Sequence, residues 1–234
     1  STDDTVNIAL SFGARVESFA WNGQYPKKYQ WCLDHLALKH DRVFFVDADE
    51  IVTPELIHEI SDLDWDAAGY FVRADYVLGG QILRFGLKNN KLCLLDRNKM
   101  VFPVVDDLDC PDMGEIEGHY QPVLKPAFAA EEIGQLRCAM LHYTCADWDA
   151  WEEKHVRYAR WEAFMDIKGV WPHDDMRKRR MMKLAFRAVP LLRPALAFVH
   201  SYILKLGFLD GRGGVALARS RYRYYQMVRR ASSP

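Results

Sequence analysis

The stretch Val43-Phe44-Phe45-Val46-Asp47-Ala48-Asp49-Glu50 decides how this chain is read. Four apolar residues in a row have the texture of a strand buried on both faces. The run then ends abruptly in three carboxylates. Residues two apart on a strand face the same side, so Asp47 and Asp49 can converge on one cation. In open α/β sheets ligands gather beyond the carboxyl ends of the strands, which is where this cluster falls. Hard carboxylates suit Mg2+ or Mn2+, commonly shared with substrate phosphates. The plain alternative is a solvated strand-to-helix loop, but carboxylates set directly against a dry strand are costly unless something positive meets them.

Working outward, helix and strand patterns alternate. Ser1-Thr2-Asp3-Asp4-Thr5 offers N-cap oxygens to a short helix carrying Val6, Ile8 and Leu10 that ends near Gly13. Residues 14–18 read as a strand. Pro26 suits the first turn of a helix carrying Tyr29, Cys32, Leu33 and Leu36, and Thr53-Pro54-Glu55 starts another with Leu56, Ile57 and Ile60. This order predicts an α/β fold, a sheet with parallel members flanked by helices. Beyond Gly69, residues 70–73, 81–84 and 92–95 read as short strands separated by the turn signals Gly79-Gly80 and Asn89-Asn90, and 138–141 as a strand before His142. After Cys145 the chain turns helical, with Trp148, Trp151, His155 and Tyr158 on one face that reads as core. Two parts follow: a catalytic-type domain over 1–145 and a helical, basic extension over 146–234.

Composition excludes other classes. Of 234 residues half are apolar and 27% charged, which is ordinary for a globular chain and unlike a disordered or fibrous one. Five scattered cysteines with no C-x-x-C pair argue against a disulfide framework or zinc ribbon and for a reducing compartment. The net charge of −1 hides an asymmetry: residues 174–234 hold 14 Lys and Arg against 3 Asp and Glu, and the rest is strongly acidic. Residues 189–209 approach the length of a span, but Pro190, Arg193, Pro194 and Lys205 interrupt it. Arg177, Lys178, Arg179 and Arg180, with Arg219, Arg221 and Arg223 among tyrosines, fit helices lying on an anionic membrane surface better than nucleic acid, for which no recognition motif is present.

Two other readings of the acidic cluster are weaker: the first fails on residue type, and the second stands as the enzymatic runner-up. An EF-hand loop starting at Asp47 needs glycine where Val52 stands. A haloacid-dehalogenase-type phosphatase wants Thr or Val where Ile51 stands and a later Gly-Asp motif that the chain lacks.

Taken together, the motifs resemble family 2 glycosyltransferases, in the subgroup acting in lipopolysaccharide core and exopolysaccharide synthesis. Ser1-Thr2-Asp3-Asp4-Thr5 is similar to the end of its D-G-S-T-D-D-T segment, and Gly13-Ala14-Arg15-Val16 with Trp21-Asn22-Gly23 to its next strand and loop. Val46-Asp47-Ala48-Asp49-Glu50 matches D-x-D-E, and Leu94-Leu95-Asp96-Arg97 resembles L-R-L-F. Leu141-His142-Tyr143 resembles the L-x-H segment, and Gly207-Phe208-Leu209-Asp210-Gly211 the G-F-L-D-G turn. The Q-x-x-R-W motif of processive members is missing from the sequence. The resemblance implies a GT-A fold, a Rossmann-like mixed sheet flanked by helices with a C-terminal helical extension. It implies a metal-dependent, inverting transfer of a sugar from a nucleotide-diphosphate donor to a glycolipid or polysaccharide acceptor. The setting would be cytoplasmic and peripheral, at the inner face of the cell membrane, with Mn2+ or Mg2+ as cofactor.

On that resemblance Asp49 and Asp47, with His142, hold the metal, and Asp3 and Arg97 join them around the donor. An inverting transfer needs a base for the acceptor hydroxyl. Glu117, which with His119 flanks a glycine, ranks first and Asp107 second. In the family a β/α unit precedes the S-T-D-D-T segment, so the resemblance also implies that this unit is missing here, leaving an unpaired edge at 14–18 or 43–46. A catalytically inactive, membrane-docked binding module of the same fold is the alternative function.

Overall fold

The computed structural model describes residues 3–110, 120–144 and 148–232. Along the chain run α1 (Thr5–Ser11), α2 (Lys28–His35), β1 (Arg42–Phe44), β2 (Glu50–Ile51), α3 (Pro54–Ser61), β3 (Gly69–Leu78), β4 (Gln81–Ile82) and β5 (Asn89–Asp96). Then come β6 (Met100–Val101), β7 (Val123–Leu124), β8 (Ile133–Tyr143), α4 (Trp148–Lys168), α5 (Arg177–Arg187), α6 (Arg193–Val199) and α7 (Gly211–Ala231). The main sheet has the order β1-β5-β3-β8-β2, with β4 hairpinned onto β3. Only β3 and β8 run parallel within it, so the fold is mixed α/β.

Period-two alternation on the central strand β3 builds both cores. Tyr70, Val72 and Ala74 face one way and pack with Leu56 of α3 and with Leu136 and Met140 of β8. Phe71 faces the other way, toward Leu33 of α2, Leu92, Leu95 and Phe102. The apolar spacing of α3 supplies its inward residue, and Thr53 caps the helix by accepting from the Leu56 amide at 3.2 Å. Gly79 and Gly80, both at positive φ, close the β3–β4 hairpin as the sequence suggests.

Several expectations need correction. Residues 43–46 do not form a strand buried on both faces. β1 pairs antiparallel with β5 alone and ends the sheet, so its residues are half-buried and Val46 is exposed. A short apolar run looks the same whether one or both of its faces are covered. Residues 14–18 are exposed and carry no regular structure, with Arg15 paired to Glu17. Asn89 and Asn90 open β5 rather than a turn, because they pair with Ala74 and Arg73. Pro26 lies before α2, which starts at Lys28.

The helical region packs back on the sheet. Trp161 and Met165 of α4 join Val105, Cys110 and Tyr120, whereas of the aromatic face expected to be core Trp151 is buried, His155 and Tyr158 are half-buried and Trp148, on the first turn of the helix, is exposed. Tyr224 and Val228 of α7 pack on Trp151, Ala159 and Ala163 of α4, and Leu217 meets Tyr76 and Leu83. The Gly207-Phe208-Leu209-Asp210-Gly211 turn works as a latch. The buried Asp210 carboxylate accepts from the amides of Arg84 (3.0 Å) and Phe85 (2.7 Å), and a Cβ at Gly214 would overlap the Gly207 carbonyl.

Candidate functional site

The acidic stretch sits where it does because of topology. β1 and β2 are the two ends of the sheet's strand order, so residues 45–49 carry the chain across the sheet from one edge to the other. The loop is tied down by its own polar groups. The Glu50 amide donates to the Asp47 carbonyl at 3.0 Å, Glu50 Oε2 accepts from the Asp47 amide at 2.9 Å, and the Tyr143 amide donates to the Asp49 carbonyl at 2.8 Å. Glu50 pairs with His142 in the β2–β8 ladder, which brings the strand-end histidine against the loop.

Within the loop the three carboxylates differ. The Glu50 side chain is 0% exposed and meets the Lys91 ammonium at 2.9 Å through both oxygens. Asp47 is bracketed, its Oδ1 accepting from the Tyr29 hydroxyl at 2.7 Å and its Oδ2 lying 2.5 Å from Lys91 Nζ. Asp49 is 37% exposed and faces His142 Nε2 at 3.9 Å and Lys154 Nζ at 3.7 Å. The other ring nitrogen, His142 Nδ1, lies 3.4 Å from Glu50 Oε1, and the ring stands edge-on to Tyr76.

Electrostatics follow from these contacts. Burial pushes the Asp47 carboxyl up, but the hydrogen bonds from Lys91 and Tyr29 outweigh it and leave the group below its ordinary range. Glu50 is likewise pushed up by burial and drawn lower overall by His142, the Asp47 amide and Lys91. Burial draws Lys91 down, yet its two carboxylate partners raise it above an ordinary lysine. With Glu50 ionised, Nδ1 of His142 can only donate to it. In a neutral ring that leaves the Nε2 lone pair on the side of Asp49.

The structure thus sets Asp49 beside His142, while Asp47 is taken up by Tyr29 and Lys91. It does not bring in the others. The Arg97 side chain pairs with Asp41 at 3.4 Å, and Asp3 is exposed, accepting from the Thr5 amide at 3.2 Å beside α1. Glu117 and His119 lie outside the described residues. Asp107 and Lys27 are both wholly buried and joined at 2.8 Å. Asp107 Oδ1 also accepts from the Tyr25 hydroxyl and Oδ2 from the Trp161 indole, each at 2.9 Å. That carboxylate is an anchor between the α2 approach and α4, closed to a substrate hydroxyl.

Sequence reasoning missed Lys91, Tyr29 and Lys154. Lys91 had a signal: it is the one charge between Asn90 and the apolar run Leu92-Cys93-Leu94-Leu95, at the start of a strand. Tyr29 and Lys154 had none, since helical residues reach the loop only through tertiary packing.

A divalent cation here would draw on few protein groups. Among the described residues no cluster of three or more His, Cys, Asp and Glu side chains is arranged to hold a metal ion. Asp47 and Glu50 are already satisfied by Lys91. Asp49 and His142 Nε2 remain, a half-exposed carboxylate beside an imidazole whose other nitrogen is oriented by a buried carboxylate. Such an outer partner is usual for metal-binding histidines. One carboxylate and one imidazole fit a Mg2+ or Mn2+ ion that takes its other ligands from substrate phosphates and water. No family model matches the chain, and no solved structure matches it.

Proposed function

We propose that the protein is a metal-dependent, inverting glycosyltransferase with a GT-A fold. It would move a sugar from a nucleotide-diphosphate donor to a glycolipid or polysaccharide acceptor at the inner face of the cell membrane. The observation that carries this reading is the Glu50–His142–Asp49 arrangement at a strand-end loop, on a chain whose motifs resemble family 2 glycosyltransferases. On this reading Asp49 and His142 Nε2 hold the divalent cation. When bound, that cation supplies positive charge against the diphosphate that leaves as the glycosidic bond breaks.

The remaining residues prepare the site. Lys91 bridges Asp47 and Glu50, so the loop keeps its shape whether or not a cation is present. Lys154, near Asp49, adds a positive charge at the rim where donor phosphates would lie. Asp47, steadied by Tyr29 and Lys91, would meet the nucleotide ribose rather than the cation on this reading. The enclosure of Asp107 speaks against it as the base, and this reading keeps Glu117, outside the described residues, as the proposed proton acceptor for the acceptor hydroxyl.

The test is Mn2+-dependent release of nucleoside diphosphate from a panel of nucleotide sugars. The reading expects at least one donor to be hydrolysed slowly without acceptor and this to stop with chelator. Binding of donor without turnover would favour the inactive binding module instead.

A further inference from the structure

Helix α5 is built inside out. Arg179, Lys183 and Arg187, spaced four apart, face inward. Arg179 and Lys183 pair with Asp174 at 3.1 and 2.6 Å, and the Arg187 guanidinium lies over the Trp171 ring at 3.3 Å. The opposite face presents Met181, Met182 and Leu184 to solvent, and α5 has no buried residue. The pattern continues beyond it. Leu192, Leu196, Val199 and Ile203 recur at helical spacing and are all exposed, and Leu191 and Leu204 are 73% and 68% exposed. Thirteen of the twenty-eight exposed large apolar side chains among the described residues lie between Met176 and Leu209.

That same stretch holds eight Lys and Arg and no Asp or Glu. Its inward cations are paired, whereas Arg177, Lys178, Arg180 and Lys205 stand exposed beside the apolar side chains. No helix among the described residues is long and apolar enough to cross a membrane. We propose that this face, α5 and the 191–209 stretch, docks on a lipid bilayer carrying acidic headgroups. The apolar side chains enter the headgroup boundary and the exposed cations meet lipid phosphates. A surface spread over helix and turn, whose charged residues between 176 and 209 are all positive, is complementary to an anionic sheet.

The surface also differs from the one the sequence suggested. Arg221 donates to the Tyr76 hydroxyl at 2.6 Å and Arg223 pairs with Glu152, so both belong to the packing of α7. The proposal rests on the membrane half of the reading above and not on its transfer chemistry. Donor binding, measured by calorimetry on the same preparations, tells failure of one from failure of the other.

The test is co-sedimentation of the full chain with vesicles of phosphatidylcholine alone or mixed with phosphatidylglycerol, at low and high salt. Tighter binding to the mixed vesicles, weakened but not abolished by salt, is expected. Replacing Arg177, Lys178 and Arg180 by Gln should weaken that binding about fivefold per residue. Leu196→Gln with Ile203→Gln should weaken it by about tenfold or more. Arg219→Gln with Arg230→Gln on α7 should leave it unchanged. If the apolar pair unfolds, the wild-type preference for acidic vesicles and the triple Gln variant decide the matter. The proposal is overturned by absence of vesicle binding, by equal binding to neutral and acidic vesicles, or by an equal effect of the α7 pair. A self-association seen by sedimentation velocity that Leu196→Gln with Ile203→Gln abolishes would assign the face to a second copy and also overturn it.

Discussion

The Lys91 ammonium lies 2.9 Å from both carboxylate oxygens of Glu50, whose side chain is wholly shielded from solvent. A lysine from β5 thereby bridges two of the three carboxylates in the acidic loop that follows β1. Removing the lysine while keeping the anion leaves a buried charge with only the Asp47 amide and His142 beside it, which costs more than the pair itself contributes.

Lys91→Met is therefore expected to destabilise the protein by about 3 kcal/mol in urea unfolding. The double variant Lys91→Met with Glu50→Gln should recover a good part of this, because the stranded charge is gone. Strict additivity of the two single losses would show that the residues do not act as a pair.

Asp107→Asn is predicted to act on folding. Lys27, Tyr25 and Trp161 all converge on that carboxylate, so the loss should be about 3–5 kcal/mol, and the fluorescence of the buried indole should change. An Asp107→Asn protein with unchanged melting temperature but lost transfer would restore Asp107 as the base.

The acidic loop was legible because its signals are local: an apolar run, then Asp47, Asp49 and Glu50 in consecutive register. The Thr53 cap and the Gly79-Gly80 turn were legible for the same reason. What failed depends on distant partners. Nothing within 43–46 tells an edge strand from a central one, since that depends on which strands arrive later. Lys27 and Asp107 lie 80 residues apart, and each alone looks like a surface charge. Arg221 belongs to a run of arginines that reads as a basic face until Tyr76 is found against it.

Acid stability should follow His155. Burial holds its imidazole down at about 4, with Arg221 and Lys154 adding repulsion. In the unfolded chain the same group takes its proton near 6.5. Between those values the unfolded state binds a proton that the folded state refuses, so stability falls as pH drops from about 6.5 to about 4. His200, also held low by burial, adds in the same direction. Asp47 and Glu50, held below their ordinary range, add a further loss at lower pH. His155→Phe keeps a ring against Trp151 and should flatten the slope of unfolding free energy over that window. An unchanged slope would contradict the assignment.

Gly214→Ala tests the latch. Its Cβ would collide with the Gly207 backbone, which cannot move without disturbing the Asp210 bonds to Arg84 and Phe85. A loss of about 2 kcal/mol or more in denaturant unfolding is expected, in a helix where alanine would otherwise be favoured. A stabilised variant would show that α7 does not approach the turn this closely.

The central claim is that Asp49, with His142, holds the cation that binds a donor's diphosphate. Isothermal calorimetry of a nucleoside diphosphate, with and without Mn2+, on the wild type and on Asp49→Asn tests it most directly. The account predicts Mn2+-dependent binding by the wild type and a loss of about tenfold or more in Asp49→Asn, with the melting temperature preserved because the charged partners of the half-exposed Asp49 carboxylate stand 3.7 and 3.9 Å away. Wild-type affinity in Asp49→Asn, or wild-type binding that ignores Mn2+, would contradict it.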